Sequence, residues 1–324
     1  MQIQEVLALI KEDMHRVEDE FKKHLLSDVY LIRRVGEYIL NSGGKRFRPL
    51  MVLLASRLCG YQGSLHIPLA VVVEFIHTAT LLHDDVVDNA TLRRGRSSAN
   101  AIWGNGSSVL VGDYLLSKAF SITVAQGNLR ILDILSDTTT RMAEGEVLQL
   151  IKHSDVNATE EEYLHVITNK TAVLFSACCR IPAVLTGLSE EKENSLATYG
   201  MSIGIAYQLM DDCLDYTSKA EDLGKSIGND LKEGKVTLPL IKAYRDATDG
   251  ERETIREAVE ADDLDEETLG RVLSIIRKYG GIEYTLEFAK GYINRAKSCL
   301  EHFAPNTERA ALSAVADYVI ERTN

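Results

Sequence analysis

Residues 67–88 read IPLAVVVEFIHTATLLHDDVVD. Residues 67–82 are the most apolar stretch of the chain, yet Glu74 and His77 interrupt it. A membrane-spanning helix needs about 20 residues with few or no charges. The stretch therefore predicts a long buried helix in a protein with no transmembrane segment.

The end of this predicted helix carries the first cluster of carboxylates. At about 100° per residue, Asp84 and Asp88 lie on one face, with Asp85 to the side and His77 on nearly the same line. Clustered carboxylates repel one another and resist burial unless a cation or a proton compensates. A helix C-terminus also disfavours negative charge. The arrangement therefore indicates function rather than local stability.

A second cluster, Asp211-Asp212-Cys213-Leu214-Asp215, follows the apolar stretch 200–210 and repeats the DDxxD spacing. Mg²⁺ takes oxygen ligands, commonly a few carboxylates together with substrate phosphates. We expect two such clusters, facing one another, to hold Mg²⁺ ions around a diphosphate. The alternative is a solvated acidic face. Residues 262–267 are equally acidic but lack a preceding apolar helix and a following basic motif, and they are typical of such a surface.

Basic residues accompany both clusters. Gly43-Gly44-Lys45-Arg46-Phe47-Arg48-Pro49 combines cations with glycines just ahead of a predicted helix, which suits phosphate binding. Others follow the carboxylate motifs or lie in an apolar helix: Arg93, Arg94, Arg96, Lys170, Lys225 and Lys235. Taken singly, Lys235 and Arg96 fit ordinary solvent-facing residues as well as they fit phosphate-binding residues. Taken singly, His77 is more typical of a hydrogen-bonded core histidine.

Composition limits the remaining possibilities. The net charge of −12 argues against general binding of nucleic acid, which needs a basic surface. The five cysteines are scattered and form no CxxC pair, as in reduced core thiols. The N-terminal residues alternate apolar and acidic side chains and lack the features of a signal peptide. We therefore expect a soluble, cytoplasmic protein.

Helical periodicity dominates the chain, and no convincing strand pattern occurs. No Pro-, Gly- or Ser-rich linker divides it, so we expect one domain over residues 1–324. The expected fold is an all-α bundle of about ten to thirteen helices. The predicted helices span about residues 2–26, 28–41, 47–59, 67–89, 107–126, 129–152, 160–187, 190–218, 236–247, 250–261, 266–279, 281–302 and 307–322.

These motifs, in this order, resemble those of the trans-polyprenyl diphosphate synthases of the long-chain type. Residues 44–49 resemble the GKRxRP box of that family, and residues 82–88 with Arg93-Arg94-Gly95 resemble its first aspartate-rich motif. Residues 208–215 resemble the second. Further matching segments are Gly145-Glu146, Lys170-Thr171, Gly224-Lys225 and residues 230–235. The likeness covers about residues 40–240, and the flanking helices fit the family's length. The resemblance implies that the helices of the bundle surround a central apolar cavity.

The resemblance implies a role for each matching residue. Those that would ligate Mg²⁺ are Asp84, Asp88, Asp211 and Asp215, with Asp85 and Asp212 in supporting positions. Those that would bind the allylic diphosphate are Arg93, Lys170, Lys225 and Lys235. Those that would bind isopentenyl diphosphate are Lys45, Arg48, His77 and Arg94. Thr171 and Gln208 would place oxygen dipoles near the developing allylic cation.

The implied reaction ionises the allylic diphosphate, adds isopentenyl diphosphate to the resulting cation and eliminates a proton. Ala79 and Thr80 stand just before the first motif, where short-chain members carry a bulky aromatic residue. Small side chains there favour a long all-trans product, such as the octaprenyl chain of a quinone. The residue that ends the product tunnel stays open among Phe75, Phe120 and a side chain in residues 140–150.

Three alternatives remain at this point. A short- or medium-chain synthase, making farnesyl or geranylgeranyl diphosphate, would share every motif. A class I terpene cyclase would share the helices and one DDxxD, but it needs neither the second DDxxD nor the Gly-Lys-Arg box. A non-catalytic subunit of a heteromeric synthase would have lost aspartates that are intact here.

The resemblance also implies a homodimer.

Overall fold

The computed structural model describes residues 1–41, 43–93, 95–217, 227–261 and 263–322, and it is all-α apart from one minimal hairpin. The helices before the hairpin are α1 (Ile3–Leu9), α2 (Lys11–Leu25), α3 (Tyr30–Asn41), α4 (Phe47–Leu58) and α5 (His66–Val87). The hairpin pairs β1 (Leu92–Arg93) with β2 (Arg96–Ser97) in antiparallel register.

The helices after the hairpin follow one another through short connections. They are α6 (Ala99–Trp103), α7 (Asn105–Ala125), α8 (Leu129–Ile151), α9 (Glu160–Ile167), a π-helical segment (Thr168–Ala172), α10 (Val173–Thr186), α11 (Glu190–Thr217), α12 (Asn229–Lys232), α13 (Leu238–Asp246), α14 (Asp249–Glu260), α15 (Glu266–Lys278), α16 (Gly281–Cys299), a 3₁₀ turn (Leu300–His302) and α17 (Thr307–Glu321).

The chain forms two compact units. The first contains Met1–Thr139, Leu174–Gly200 and Cys299–Val315, and the second contains Thr140–Val173, Met201–Ser298 and Ala316–Asn324. Helices α8, α10, α11, α16 and α17 each contribute residues to both units. The expected single domain stays a prediction.

The first unit is organised around α5. This helix packs against α2, α4 and α7. Its side chains from Ile67 to Ile76 are buried apart from Pro68, which confirms the prediction of a buried helix. Two described helices, α5 and α7, are long and apolar enough to cross a membrane by length and composition alone. In α5, 72% of the most apolar window lies inside the protein.

The second unit has a core between α13, α14 and α15, to which α12 adds a short turn. Ile255, Val272 and Ile276 are fully buried there, and Tyr216 from the end of α11 packs with them. This core supports the end of α11, which carries the second aspartate cluster.

The predicted helices agree with the structure except at a few places where the backbone changes geometry and no proline, glycine or change of periodicity marks the change. One predicted helix over 2–26 is two helices, because Ile10 leaves helical geometry while burying its side chain. The predicted helix over 160–187 contains the π-helical segment. The hairpin, α6 and α12 were not predicted, and with these splits the described residues hold more helices than expected.

Four of the five cysteines are buried, in keeping with core thiols. Burial raises the pKa of Cys59, Cys178 and Cys213 to about 12. These thiols stay protonated at neutral pH.

Candidate active site

The first aspartate cluster divides into outward and inward carboxylates. Asp84 and Asp88 are half-buried at the end of α5, whereas Asp85 is 3% exposed. Asp85 accepts a 2.6 Å hydrogen bond from Nε of Arg93, and its carbonyl accepts one of 3.0 Å from Asn100. The helical period places Asp84 and Asp88 together and sends Asp85 into the protein.

The hairpin holds Arg93 at this position. Its turn needs Gly95, whose φ of +71° disfavours other residues. Ser98 ends the hairpin by donating to the carbonyl of Ala90 at 2.6 Å, and its hydroxyl also accepts from Ala101 to cap α6. Arg94 lies outside the described residues. The structure thus places Arg93 on Asp85, and its contact with a diphosphate stays a prediction.

The Gly-Lys-Arg box is a left-handed loop. Arg46 has a φ of +46° and directs its guanidinium to Glu74 of α5, at 2.6 Å and beside the ring of Phe21. Glu74 is 6% exposed, so the pair is internal and fixes the loop to α5. Lys45 is exposed beside it. Arg46 is therefore the structural cation of the box.

Arg48 and His77 complete this side of the first unit. The guanidinium of Arg48 stacks over the ring of Phe175, with 4.6 Å between its central carbon and the ring centroid. Such stacking restricts the guanidinium to one plane. His77 is half-buried on α5, seven residues before Asp84 and hence on the same helical face.

The second cluster, at the end of α11, repeats this division only in part, because Asp211 is exposed whereas both Asp212 and Asp215 are buried. The Asp211 side chain is 44% exposed, whereas Asp212 is 2% and Asp215 is 9% exposed. Asp215 accepts from the backbone N–H of Asp230 at 3.1 Å, and its carbonyl accepts from Gly228 at 2.9 Å. These bonds tie α11 to α12.

Asp212 is the centre of a buried network. It accepts from the hydroxyl of Tyr163 at 2.5 Å and from Nε2 of Gln208 at 2.8 Å. Oε1 of Gln208 accepts from the hydroxyl of Thr171 at 3.3 Å. Burial raises the pKa of Asp212, and the charge of Asp230 raises it further. Burial also raises the pKa of Tyr163, which remains a donor.

Lys170 and Thr171 lie on the π-helical segment, a rare geometry that often occurs at functional sites. Nζ of Lys170 donates to Oε1 of Glu146 on α8 at 2.8 Å. The preceding residue, Gly145, allows this approach, because a Cβ there would lie 2.4 Å from the backbone nitrogen of Lys170. Glu146 thus holds the lysine that the sequence singled out.

The last predicted basic residues lie beyond the second cluster. Lys235 forms an ion pair with Glu233 at 2.7 Å. Gly234 turns the chain between them with a φ of +66°. Lys225 lies outside the described residues.

The carboxylate clusters suit a divalent cation whose coordination sphere is completed by water and by oxygens of a bound ligand. Among the described residues, no three His, Cys, Asp or Glu side chains converge on a preformed metal site. Asp84, Asp88 and Asp211 nevertheless offer hard oxygen donors with partial exposure. Mg²⁺ typically uses a few such carboxylates and fills its remaining positions with water and phosphate oxygens. Each cluster therefore offers the type of donor that Mg²⁺ takes, and a metal site stays a prediction.

Sequence reasoning missed three residues that hold the site: Glu74 as the partner of Arg46, Tyr163 as the partner of Asp212, and Arg322 as the partner of Asp211. Glu74 was visible only as a charge within an apolar helix. Neither Tyr163 nor Arg322 lies in a motif, and their partners are distant in sequence. No local pattern identifies such pairs.

Comparison with known proteins identifies the family. The profile of the polyprenyl synthetase family matches residues 29–276. The chain is 42% identical to octaprenyl diphosphate synthase of Escherichia coli (strain K12) over 322 residues, which cover 99% of each chain. It is 39% identical to the geranyl-diphosphate-specific all-trans-nonaprenyl-diphosphate synthase of Rhodobacter capsulatus, over 98% of each chain.

A solved structure shows the same fold. It is the polyprenyl synthase of Caulobacter crescentus CB15 in complex with calcium and isoprenyl diphosphate. The TM-score is 0.96 at 40% identity, and the alignment covers 100% of this chain and 98% of that one. The chain therefore belongs to the polyprenyl synthetase family and is a trans-prenyl diphosphate synthase.

Proposed function

We propose that the protein condenses isopentenyl diphosphate with an allylic diphosphate, in a Mg²⁺-dependent reaction, to make a long all-trans polyprenyl diphosphate such as octaprenyl diphosphate. The observation that carries this proposal is the coexistence of two DDxxD clusters with a Gly-Lys-Arg box in one chain. The similarity to octaprenyl diphosphate synthase over the full chain supports the product class. A long prenyl chain of this kind would serve as a quinone side chain.

In this proposal both clusters act on one allylic diphosphate, with Asp84, Asp88, Asp211 and Asp215 as the Mg²⁺ ligands. Bound Mg²⁺ would offset the negative charge that grows on the departing pyrophosphate. The inward positions of Asp85 and Asp212 favour supporting roles for them. The calcium in the related synthase agrees with a site for a divalent cation in the family.

The basic residues would divide between two substrates. The allylic diphosphate would contact Arg93, Lys170, Lys225 and Lys235. Isopentenyl diphosphate would contact Lys45, Arg48, His77 and Arg94. Lys170 and Arg93 are already held by carboxylates, so each cation is positioned before a substrate arrives.

The Thr171–Gln208 pair would stabilise the allylic cation. The two side-chain oxygens lie together, because the hydroxyl of Thr171 donates to Oε1 of Gln208 at 3.3 Å. Asp212 fixes the Gln208 amide by accepting from its nitrogen. Attack by the double bond of isopentenyl diphosphate forms the new carbon–carbon bond, and loss of a proton to released pyrophosphate completes one extension. Water must be excluded, since it would capture the cation.

Product length is proposed to depend on Ala79 and Thr80. Ala79 is 1% exposed on α5, five residues before Asp84. The hydroxyl of Thr80 donates to the carbonyl of His77 within the same helix, at 2.8 Å. Neither side chain is bulky. A short- or medium-chain product remains the alternative, because the family also contains such synthases.

We also propose a cytoplasmic homodimer. Helix α7 is apolar, yet Val109, Leu110 and Val124 are exposed on it. An exposed apolar helix of this length is typical of an oligomer interface. Sedimentation of the protein should give twice the 36.0 kDa of one chain, and Leu110→Glu should lower that mass. A monomeric wild-type protein would contradict the dimer.

The function is tested by incubating the purified chain with radiolabelled isopentenyl diphosphate, Mg²⁺ and several allylic primers. Asp84→Ala and Asp211→Ala should each lower turnover by orders of magnitude without unfolding the protein. Asp263→Ala is the matched control, because Asp263 is an exposed member of the acidic run outside the site. Near-normal turnover of either active-site variant in excess Mg²⁺ would reject the metal assignment.

The same assay separates the alternative activities. A terpene cyclase would convert the allylic primer to a hydrocarbon without consuming isopentenyl diphosphate. A non-catalytic subunit would incorporate no label when incubated alone. Mass spectrometry of the product would give its number of isoprene units.

A further inference from the structure

Arg322 follows α17 directly and is built into the second unit by four contacts. One guanidinium nitrogen lies 2.7 Å from Oδ1 of Asp211, and the same nitrogen donates to the carbonyl of Tyr207 at 2.6 Å. Nε donates to the carbonyl of Val319 at 3.3 Å. The central carbon of the guanidinium lies 3.6 Å from the ring centroid of Tyr207.

The two partners differ in their exposure to solvent. The side chain of Arg322 is 2% exposed, whereas that of Asp211 is 44% exposed. A buried guanidinium without an anion carries a large desolvation cost. Arg322 is thus fixed by the residues around it. The side chain of Asp211 stays partly exposed to solvent, although its Oδ1 atom contacts the guanidinium.

We propose that Arg322 is a positioning residue for Asp211: it holds one carboxylate oxygen so that the other is directed to the divalent cation. This inference rests on the proposed metal-binding role of Asp211. Carboxylates that bind metals are commonly held by hydrogen bonds from residues outside the coordination sphere. Removal of such a residue typically weakens metal binding roughly 10- to 100-fold.

The opposite expectation is that Arg322 competes with the cation. In that case, its removal would strengthen metal binding, because a positive charge would leave the site. The geometry favours positioning. Arg322 is held by Tyr207 and Val319 as well as by Asp211, so its position does not depend on Asp211 alone. The sign of the change in affinity therefore separates the two roles.

The test is Mn²⁺ binding to the full-length protein in the presence of inorganic pyrophosphate, followed by the electron paramagnetic resonance signal of unbound Mn²⁺. Arg322→Gln should weaken binding roughly 10- to 100-fold. Arg322→Lys should recover part of the loss, because it keeps the charge but not the planar fork. Arg309→Gln is the matched control, since Arg309 of α17 contacts the carbonyl of Phe303 at 2.8 Å.

A double-mutant cycle identifies the path of the effect. In an Asp211→Asn background, Arg322→Gln should change Mn²⁺ affinity less than about twofold, because the residue acts through Asp211. Unchanged or tighter binding by Arg322→Gln in the wild-type background would overturn the inference, as would an equal loss in both backgrounds. If Arg322→Gln does not fold, Arg322→Lys is used in the cycle with the same criteria.

Unchanged Mn²⁺ binding would have a different meaning in the Asp211→Asn variant than in the Arg322→Gln variant. If Asp211→Asn alone leaves Mn²⁺ binding unchanged, the metal assignment of Asp211 is wrong, and the inference about Arg322 is wrong with it. If Asp211→Asn weakens binding and Arg322→Gln does not, the proposed function stands and only the positioning role of Arg322 is wrong.

Discussion

The hydroxyl of Tyr163 donates a 2.5 Å hydrogen bond to Asp212, the middle carboxylate of the second aspartate motif, and both side chains are buried. The bond joins α9 to α11. Asp212 also accepts from Gln208, so the position of the Gln208 amide depends on a tyrosine that lies outside every motif. A buried acceptor that loses its donor costs about 1–3 kcal/mol.

Tyr163→Phe should therefore lower the free energy of unfolding by about 1–3 kcal/mol. It should also lower kcat, because Gln208 loses its fixed orientation. Urea unfolding and steady-state turnover measure the two effects. Tyr284→Phe is the control, since its hydroxyl donates to the partly exposed Glu160 at 2.7 Å. If Tyr163→Phe matched this control in stability and turnover, the buried network would have no part in the site.

Gly145→Ala tests the close approach of α8 to the π-helical segment. The new Cβ would lie 2.4 Å from the backbone nitrogen of Lys170, so the two segments must separate. Misplacing a catalytic group by about 1 Å can lower turnover by about 100-fold. Turnover and thermal melting are measured together.

The control for Gly145→Ala is Gly270→Ala on α15, where an added Cβ meets nothing within 4 Å. Alanine is the better helix former by about 0.5–1 kcal/mol, so this variant should be slightly more stable and fully active. Normal turnover by Gly145→Ala would show that Lys170 needs no such placement.

Glu74→Gln tests the internal pair that fixes the Gly-Lys-Arg box. Arg46 would keep its contact with Phe21 but lose the carboxylate charge at 2.6 Å. The expected loss of stability is roughly 1–3 kcal/mol. The loop that presents Lys45 would be less ordered, so KM for isopentenyl diphosphate should rise while KM for the allylic primer changes little.

The control for Glu74→Gln is Glu266→Gln. Glu266 pairs with Lys232 at 2.9 Å, but its side chain is 84% exposed, so the change should cost less than about 1 kcal/mol. An equal rise in both KM values for Glu74→Gln would indicate a general loss of structure rather than a defect in the box.

The sequence predicted the helices because their signal is local and periodic. The same period predicted that Asp84 and Asp88 share a face, and the structure shows both half-buried while Asp85 points inward. The hairpin was missed because two-residue strands carry no alternating pattern. The break at Ile10 was missed because neither proline nor glycine marks it.

The non-local pairs could not be predicted from one sequence. Arg46 lies in the loop before α4 and Glu74 in α5, whereas Asp211 lies in α11 and Arg322 follows α17. Each pair forms only after tertiary packing. Residue type does not identify them, since most arginines and glutamates of this chain face solvent. The motifs therefore indicated the type of chemistry, and the structure added the residues that contact the motif side chains.

Stability against acid should depend on Glu251 of α14. Lys278, Tyr279 and Thr248 donate to its carboxylate and lower its pKa to about 2, with Lys278 as the largest cause. A pKa that is lower in the folded than in the unfolded state gives stability that is present above the unfolded pKa. That stability is lost as the pH falls toward the folded value.

Glu251→Gln should therefore unfold more easily than wild type at neutral pH, and the difference should shrink as the pH falls from about 4.5 to about 2. Urea unfolding at a series of pH values measures it. Glu253→Gln on the same helix is the control, because Glu253 contacts only the exposed, neighbouring Arg256 among the pairs described. A difference that was as large near pH 2 as at neutral pH would contradict the assignment.

Product length offers a test of the region before the first aspartate motif. Phe75 is fully buried and packs edge-on against Phe21, with 4.6 Å between ring centroids, so its side chain is committed to the core. Ala79 lies one turn closer to Asp84 and is small. A bulky residue there would occupy space that a growing chain needs if the chain extends along α5.

Ala79→Tyr should shorten the product to a short- or medium-chain length, and Ala79→Leu should give an intermediate length, because the blockage increases with side-chain volume. Because Ala79 is 1% exposed, the larger residues should also cost about 1–3 kcal/mol of stability through overpacking. Ala79→Ser keeps the volume small and should leave the product unchanged. Thin-layer separation and mass spectrometry give the lengths. An unchanged product ladder from a folded, active Ala79→Tyr enzyme would show that the tail does not pass this residue.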